Sequence, residues 1–278
     1  MSNLAKRFAT AGVAIPLLIL FIFILPKWTI LIPVAVCIFA GSFEVMTMIG
    51  QSRSRVQYSA GSAIILLFCY AMFSFPRDGL IDAHLGIVQL AFTGAALCLT
   101  GIIFYKPVET AGRRLAGLFT ALFYPGILLT VLAVIHNRLE HGPRWVLCIL
   151  MTAFLCDTGA YFAGRAFGKH KLAPNLSPKK TIEGVAGGIA GSLAATMSAH
   201  FIFLPQITLQ DAVILGVGGS LSGVVGDLIE SLIKRSSGIK DAGKFFPGHG
   251  GMMDRIDGLL IVIPFFYFYI YFRFSPGF

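Results

Sequence analysis

Apolar runs long enough to cross a bilayer follow one another through almost the whole of this chain. They lie at residues 29–49, 58–75, 85–105, 115–136, 144–167, 184–204, 210–233 and 256–274, with another inside residues 1–28. Each approaches the ~20 residues a helix needs to span the hydrocarbon core. No water reaches unpaired backbone groups there, so such runs fold as helices, which satisfy every N–H and C=O internally. The expectation is an all-α, polytopic integral membrane protein with about nine transmembrane helices. Charged residues make up only 13% of the 278 residues, against about 25% in soluble domains. Connections between the runs are short, and nothing marks an internal repeat. Residues 1–278 read as one membrane-embedded domain, with N-terminal spans over about 1–143 and a chemistry-bearing half over about 144–278. Residues 1–28 begin basic and turn apolar, as a signal peptide does. However, Pro26, Lys27 and Trp28 follow Leu25 where a small-residue cleavage site would stand, so they read as an uncleaved first span.

Charge sets the orientation. If nine spans alternate, only Lys27, Arg77, Arg138, Arg144 and Arg273 of the 22 Lys and Arg fall on one side. The others share the side of the bases at 234–255, and the positive-inside bias makes that side cytoplasmic. A net charge of +9 would suit nucleic acid, but there is no soluble basic domain to bind it, so no nucleic-acid partner is expected. Cys37, Cys69, Cys98, Cys148 and Cys156 all lie in apolar runs without CxxC spacing. They read as small buried hydrophobes rather than disulfide or zinc residues. His84, His136, His141, His170 and His200 form no ligand spacing.

One stretch departs from this pattern. Residues 227–257, DLIESLIKRSSGIKDAGKFFPGHGGMMDRID, crowd acids, bases and glycines between two apolar segments. On a helix, Asp227, Glu230, Ser231 and Lys234 share one face. An ionised carboxylate near a span centre costs ~2.5–3.5 kcal/mol on insertion scales, so an acid such as Asp227 usually has a task. The plain alternative is neutralisation by a partner such as Lys234. Asp254 and Asp257 open the next apolar run, where carboxylates suit the positive end of a helix and can share a hard cation. Between them and Asp227 lies Pro247-Gly-His-Gly-Gly251, whose glycines let backbone N–H groups approach a phosphate. Asp157 and Glu44 are further intramembrane acids. Asp157, with Arg165 two turns on, serves either a metal site or helix packing, and Glu44 reads as structural. Together, acids for a metal, bases for phosphates and a glycine loop point to phosphoryl or nucleotidyl transfer. A transporter with midplane ion sites is another class that buried acids allow. Against it, no pair of spans is interrupted in matching halves, and the polar residues gather at one face.

Read in order, Ser231-Leu-Ile-Lys234-Arg235, Lys240-Asp241, Pro247-Gly-His-Gly-Gly251 and Asp254-Arg255-Ile-Asp257 resemble the signature of the phosphatidate cytidylyltransferases, also called CDP-diacylglycerol synthases. Asp157-Thr-Gly-Ala-Tyr161, Gly164-Arg165 and Ser177-Pro-Lys-Lys-Thr181-Ile-Glu183-Gly184 resemble the same family. The resemblance is firm over the C-terminal half and rests mainly on apolar character elsewhere. It implies an enzyme of the bacterial inner (cytoplasmic) membrane that joins CTP to phosphatidic acid, giving CDP-diacylglycerol and pyrophosphate. The acyl chains would stay in the lipid bilayer. Wider relatives include polyprenol and phytol kinases, so a CTP-dependent lipid kinase working through the γ-phosphate is the alternative. A homodimer is also implied.

The resemblance makes Asp227 and Asp254 the expected metal ligands, for Mg2+ or Mn2+; the sequence is silent on a second, monovalent ion. Mg2+ is commonly held by one or two carboxylates plus substrate phosphates. Lys234, Arg235, Lys240 and Arg255 would serve the same anions, or merely form a basic rim that enforces topology. Asp241 and Asp257 are further catalytic candidates, although pairing with Lys240 or Arg255 alone would explain them. His249 is expected to position a phosphate rather than move a proton. Ser231, Gly248, Gly250 and Gly251 are expected at the substrate. In the second loop, Ser177 followed by Pro178 reads as a helix start, with Ser as N-cap and Pro at the first position. Lys179, Lys180 and Thr181 would then present a helix N-terminus to the triphosphate or the lipid phosphate, or to acidic headgroups.

Overall fold

The computed structural model describes residues 12, 16–50, 55–74, 94, 96, 108–243 and 250–274. Among them are seven helices long and apolar enough to cross a membrane. These are α1 (Lys27–Gly50), α2 (Arg55–Ser74), α3 (Ala111–Arg138), α4 (Gly142–Phe167), α5 (Ile182–Ile202), α6 (Leu209–Ser236) and α7 (Met253–Phe274). They correspond to seven of the apolar runs. Of the run at 85–105 residues 94 and 96 alone are described; within residues 1–28, residues 12 and 16–28 are described, and 16–24 are helical and end in a π turn, Leu20–Ile24. Short connections join α3 to α4 and α5 to α6, which makes those neighbours antiparallel.

The helices meet through small residues. A Cβ on Gly191 of α5 would collide with the Leu155 carbonyl of α4, and one on Gly159 of α4 with the Gly187 carbonyl of α5. Such seams give van der Waals contact where lipid offers no hydrophobic drive between helices. α6 and α7 are pinned at both ends. α6 opens with a capping box, in which Thr208 Oγ1 accepts the Asp211 N–H at 3.1 Å and the Asp211 carboxylate accepts the Thr208 N–H at 2.7 Å. Asp211 also accepts from the Tyr269 hydroxyl at 2.6 Å and from Arg273 Nε at 3.2 Å, both near the end of α7. At the opposite end, Gly226 lies directly on the Asp257 carbonyl, with no room for a side chain.

Met46, Ile65, Leu122, Ile149, Leu260 and Phe266 are fully buried, whereas Leu67, Phe162, Phe201, Ile202 and Phe272 point outward. Hydrocarbon tails are as apolar as leucine, so a bilayer accommodates that outer surface. α3 widens into a π turn, Leu122–Ile127, around Pro125, because proline has no N–H and its ring clashes with the carbonyl four residues back. The turn aims Tyr124 at α6, where its hydroxyl donates to Gly226 O at 3.0 Å.

The segment before α5 is not the helix start expected at Ser177. Lys171–Ala173 (β1) and Ser177–Thr181 (β2) form an antiparallel hairpin, with Lys171 opposite Thr181 and Ala173 opposite Ser177. The N-cap is Thr181, whose Oγ1 accepts the Gly184 N–H at 3.1 Å. Proline's fixed φ suits a first helical turn and an edge strand equally, and pairing with 171–173 decides between them.

Candidate active site

Three segments converge where α6 ends: the hairpin, the last three turns of α6 and the start of α7. Asp227 stands nine residues before Ser236, the last residue of α6, or ~14 Å inward along the helix axis. Its carboxylate forms an ion pair with Lys180, delivered by β2. Asp257, one turn into α7, has Asp227 as a side-chain hydrogen-bonding neighbour and accepts the Gly258 N–H at 2.9 Å.

One turn further along α6, Glu230 is 1% exposed. Its Oε2 pairs with Lys234, while its Oε1 has no hydrogen-bond partner. Lys234 Nζ also donates to Asp254 Oδ1 at 2.8 Å. The cluster therefore sets two ammonium groups against the carboxylates of Asp227, Glu230, Asp254 and Asp257.

That donor set fits Mg2+ at Asp227 and Asp257, which put hard oxygens side by side. A buried carboxylate oxygen without a partner stands on the next turn. Among the described residues, no three His, Cys, Asp or Glu side chains form a metal cage. Mg2+ needs none, since one or two carboxylates with water and substrate phosphates suffice.

Asp254, expected as the second ligand, lies in the same cluster one turn before Asp257. Its Oδ1 takes Lys234, and its Oδ2 takes the Gly251 N–H at 2.8 Å and the Ala242 N–H at 3.1 Å. At the first turn of α7 it bridges Lys234 of α6 and its own loop, and Asp257, one turn on, meets Asp227. Gly250 has φ +84, a left-handed conformation that glycine tolerates best. The N–H of Gly251, expected to face a phosphate, is given to Asp254. Gly248 and His249 lie outside the described residues.

Arg235 joins the end of α6 to the hairpin turn, donating from Nη1 to Ile239 O at 3.0 Å and from Nε to Leu176 O at 3.4 Å. Lys179, Lys240, Asp241 and Arg255 are exposed around this cluster, and Ser231 is half-buried one turn after Asp227. Ser177, half-buried, and Thr181, buried, belong to the frame of the hairpin. Asp157 on α4 has Asp227 and Lys180 as its electrostatic neighbours. Arg165 turns instead to the Tyr161 hydroxyl at 3.0 Å.

Three further residues hold the frame of the cluster: Glu183, quoted in the upstream motif without a role, Tyr124, which the sequence did not single out, and Glu44, read as structural. Glu183 closes the base of the hairpin, accepting the Lys169 N–H at 3.1 Å and the His170 N–H at 3.2 Å and meeting His170 Nδ1 at 2.7 Å. Tyr124 reaches the α6 backbone beside Asp227 with no signal in its own neighbourhood. Glu44, on α1, accepts the N–H groups of Met252 at 3.0 Å and Met253 at 2.9 Å. Its signal was an acid within an apolar run.

The sequence profile of the cytidylyltransferase family matches residues 5–273. The chain is 31% identical over 277 residues to the phosphatidate cytidylyltransferase of Bacillus subtilis, covering 96% of this chain and 98% of that protein. It is 30% identical over 293 residues to the phosphatidate cytidylyltransferase of Thermotoga maritima, covering 100% and 99%. A shorter match to the phosphatidate cytidylyltransferase of Haemophilus influenzae is 43% identical over 155 residues, or 51% of this chain and 53% of that one.

Proposed function

The chain belongs to the cytidylyltransferase family, and from that premise we propose that the cluster around Asp227 is where this membrane nucleotidyltransferase joins CTP to phosphatidic acid, giving CDP-diacylglycerol and pyrophosphate. One observation carries the assignment of the site. Lys180, Asp227 and Asp257 come from three segments far apart in sequence and meet as one cluster of charge. Asp227 and Asp254, with Asp257 beside them, would hold Mg2+, with Mn2+ as its substitute. Bound there, the ion would neutralise charge growing on the α-phosphate and the departing pyrophosphate.

The remaining groups bind and position. Lys180, with Lys179, Arg235, Lys240 and Arg255, supplies positive charge to the triphosphate and the lipid phosphate, and arginine suits bidentate contact with phosphate. Lys234 lies between Glu230 and Asp254; it balances their charge and ties α6 to the start of α7. A phosphate monoester is already largely ionised near neutral pH. Attack on the α-phosphorus therefore demands alignment more than a general base. A site close to one end of the helices suits a lipid whose head must meet a soluble nucleotide. The positive-inside bias puts that end in the cytoplasm, across a bacterial inner membrane. The family resemblance supports a homodimer as its working form.

The test is the fate of two labels. With purified protein, phosphatidic acid and Mg2+, label on the α-phosphate of CTP should enter the lipid, and label on the γ-phosphate should leave with pyrophosphate. Lipid-borne γ-label, or transfer to a polyprenol control, would overturn this reading in favour of a lipid kinase.

A further inference from the structure

Glu44 sits six residues before the end of α1 and is 6% exposed. Its Oε1 accepts the Met252 N–H at 3.0 Å and its Oε2 the Met253 N–H at 2.9 Å, across 208 and 209 positions of sequence. The Met253 N–H is the first of α7, a donor that a helix leaves without an internal partner, and the Met252 N–H directly precedes it. A carboxylate at that end also meets the positive pole of the helix. Two glycines enclose it, since a Cβ on Gly243 or on Gly251 would run into the Glu44 carboxylate. The backbone on both sides of the signature loop thus closes around an acid from the other half of the molecule. On the same loop, Asp254 takes the N–H groups of Ala242 and Gly251. Two carboxylates, one local and one from α1, therefore hold the segment that carries Arg255 and Asp257 into the cluster.

We infer that Glu44 is a positioning residue for cytidylyl transfer, an internal anion that fixes the start of α7 so that Asp257 faces Asp227. It touches neither substrate nor the reacting atoms. The α1–α2–α3 half of the chain is in this way part of the reaction apparatus rather than a passive anchor. Its kinetic side rests on the site proposed above; its structural side does not.

The experiment compares the parent with Glu44→Gln and Gly243→Ala, purified in detergent. Gln keeps the shape but turns an NH2 group towards one of two N–H donors. Ala pushes on the carboxylate while leaving the charge in place. Hydrogen–deuterium exchange without ligand should speed up at least tenfold for peptides covering residues 250–256 in both variants. Peptides from the α4–α5 seam should keep the parent's rate. In the label assay, kcat should fall at least tenfold with the KM for CTP within twofold, because the hairpin bases are untouched. Parent-like exchange at 250–256 in both variants overturns the inference. So does loss of protection throughout the molecule, which reduces Glu44 to a general packing role, and so does local loosening with an unchanged kcat. A parent protein that transfers no α-label sinks the assignment of the site, and the exchange result then stands alone.

Discussion

Replacing Lys234 with Met tests how the cluster is held together. The Lys234 side chain is 12% exposed and lies between Glu230, at 1%, and Asp254, at 16%. Two unit charges at the 2.8 Å separating Lys234 Nζ from Asp254 Oδ1 attract by about 6 kcal/mol at an effective dielectric of ~20. Desolvation of both partners offsets most of that gain, so the intact pair adds little net stability. Removing one partner is a different matter. Lys234→Met keeps the length and apolar volume but removes the ammonium that pairs with buried Glu230. Stranding a buried charge in this way costs about 3–5 kcal/mol. Asp254 is less exposed to the change, because the Gly251 and Ala242 N–H groups still hold it. Thermal unfolding of the detergent-purified protein at a fixed scan rate should show the loss as a clearly lower midpoint. The double variant Lys234→Met with Glu230→Gln discharges the stranded carboxylate and should recover at least half of the drop. A single variant within about 1 kcal/mol of the parent, the range of an exposed pair, refutes the reasoning. A double variant no more stable than the single one does the same.

Asp227→Asn and Asp257→Asn should each lower turnover at saturating Mg2+ at least tenfold, equivalent to ~1.4 kcal/mol; a variant with near-parent turnover removes that residue from the site. Single cysteines at Lys171 and at Lys240, in a background lacking the native five, should escape a membrane-impermeant thiol reagent in intact cells and react once the membrane is opened. Labelling of either in sealed cells reverses the orientation.

The spans were legible because hydrocarbon leaves so few choices: a long apolar run must be a helix, and all seven described spans lie within a few residues of their runs. The C-terminal cluster was legible for a related reason, since an acid such as Asp227 is costly in apolar surroundings and so stands out. What the sequence hid was pairing over distance. Lys180 was read at a helix start, yet its strand brings it to Asp227, 47 positions away. Ser177-Pro178 is ambiguous locally, and only the partner strand at 171–173 resolves it. Asp254 and Asp257 look alike three residues apart, but a turn of helix brings one to Lys234 and its own loop and the other to Asp227. Glu44 stood out as an acid, but nothing near it in sequence pointed to Met252 and Met253.

The seam between α4 and α5 bears on how a two-tailed lipid reaches the cluster. Where Gly191 lies on the Leu155 carbonyl and Gly159 on that of Gly187, backbone touches backbone. A hydrocarbon tail cannot slip through a wall closed in that way. The hairpin with Lys180 leads directly into α5, so this closed seam stands beside the cluster. A lipid that enters sideways would do so along a different pair of helices.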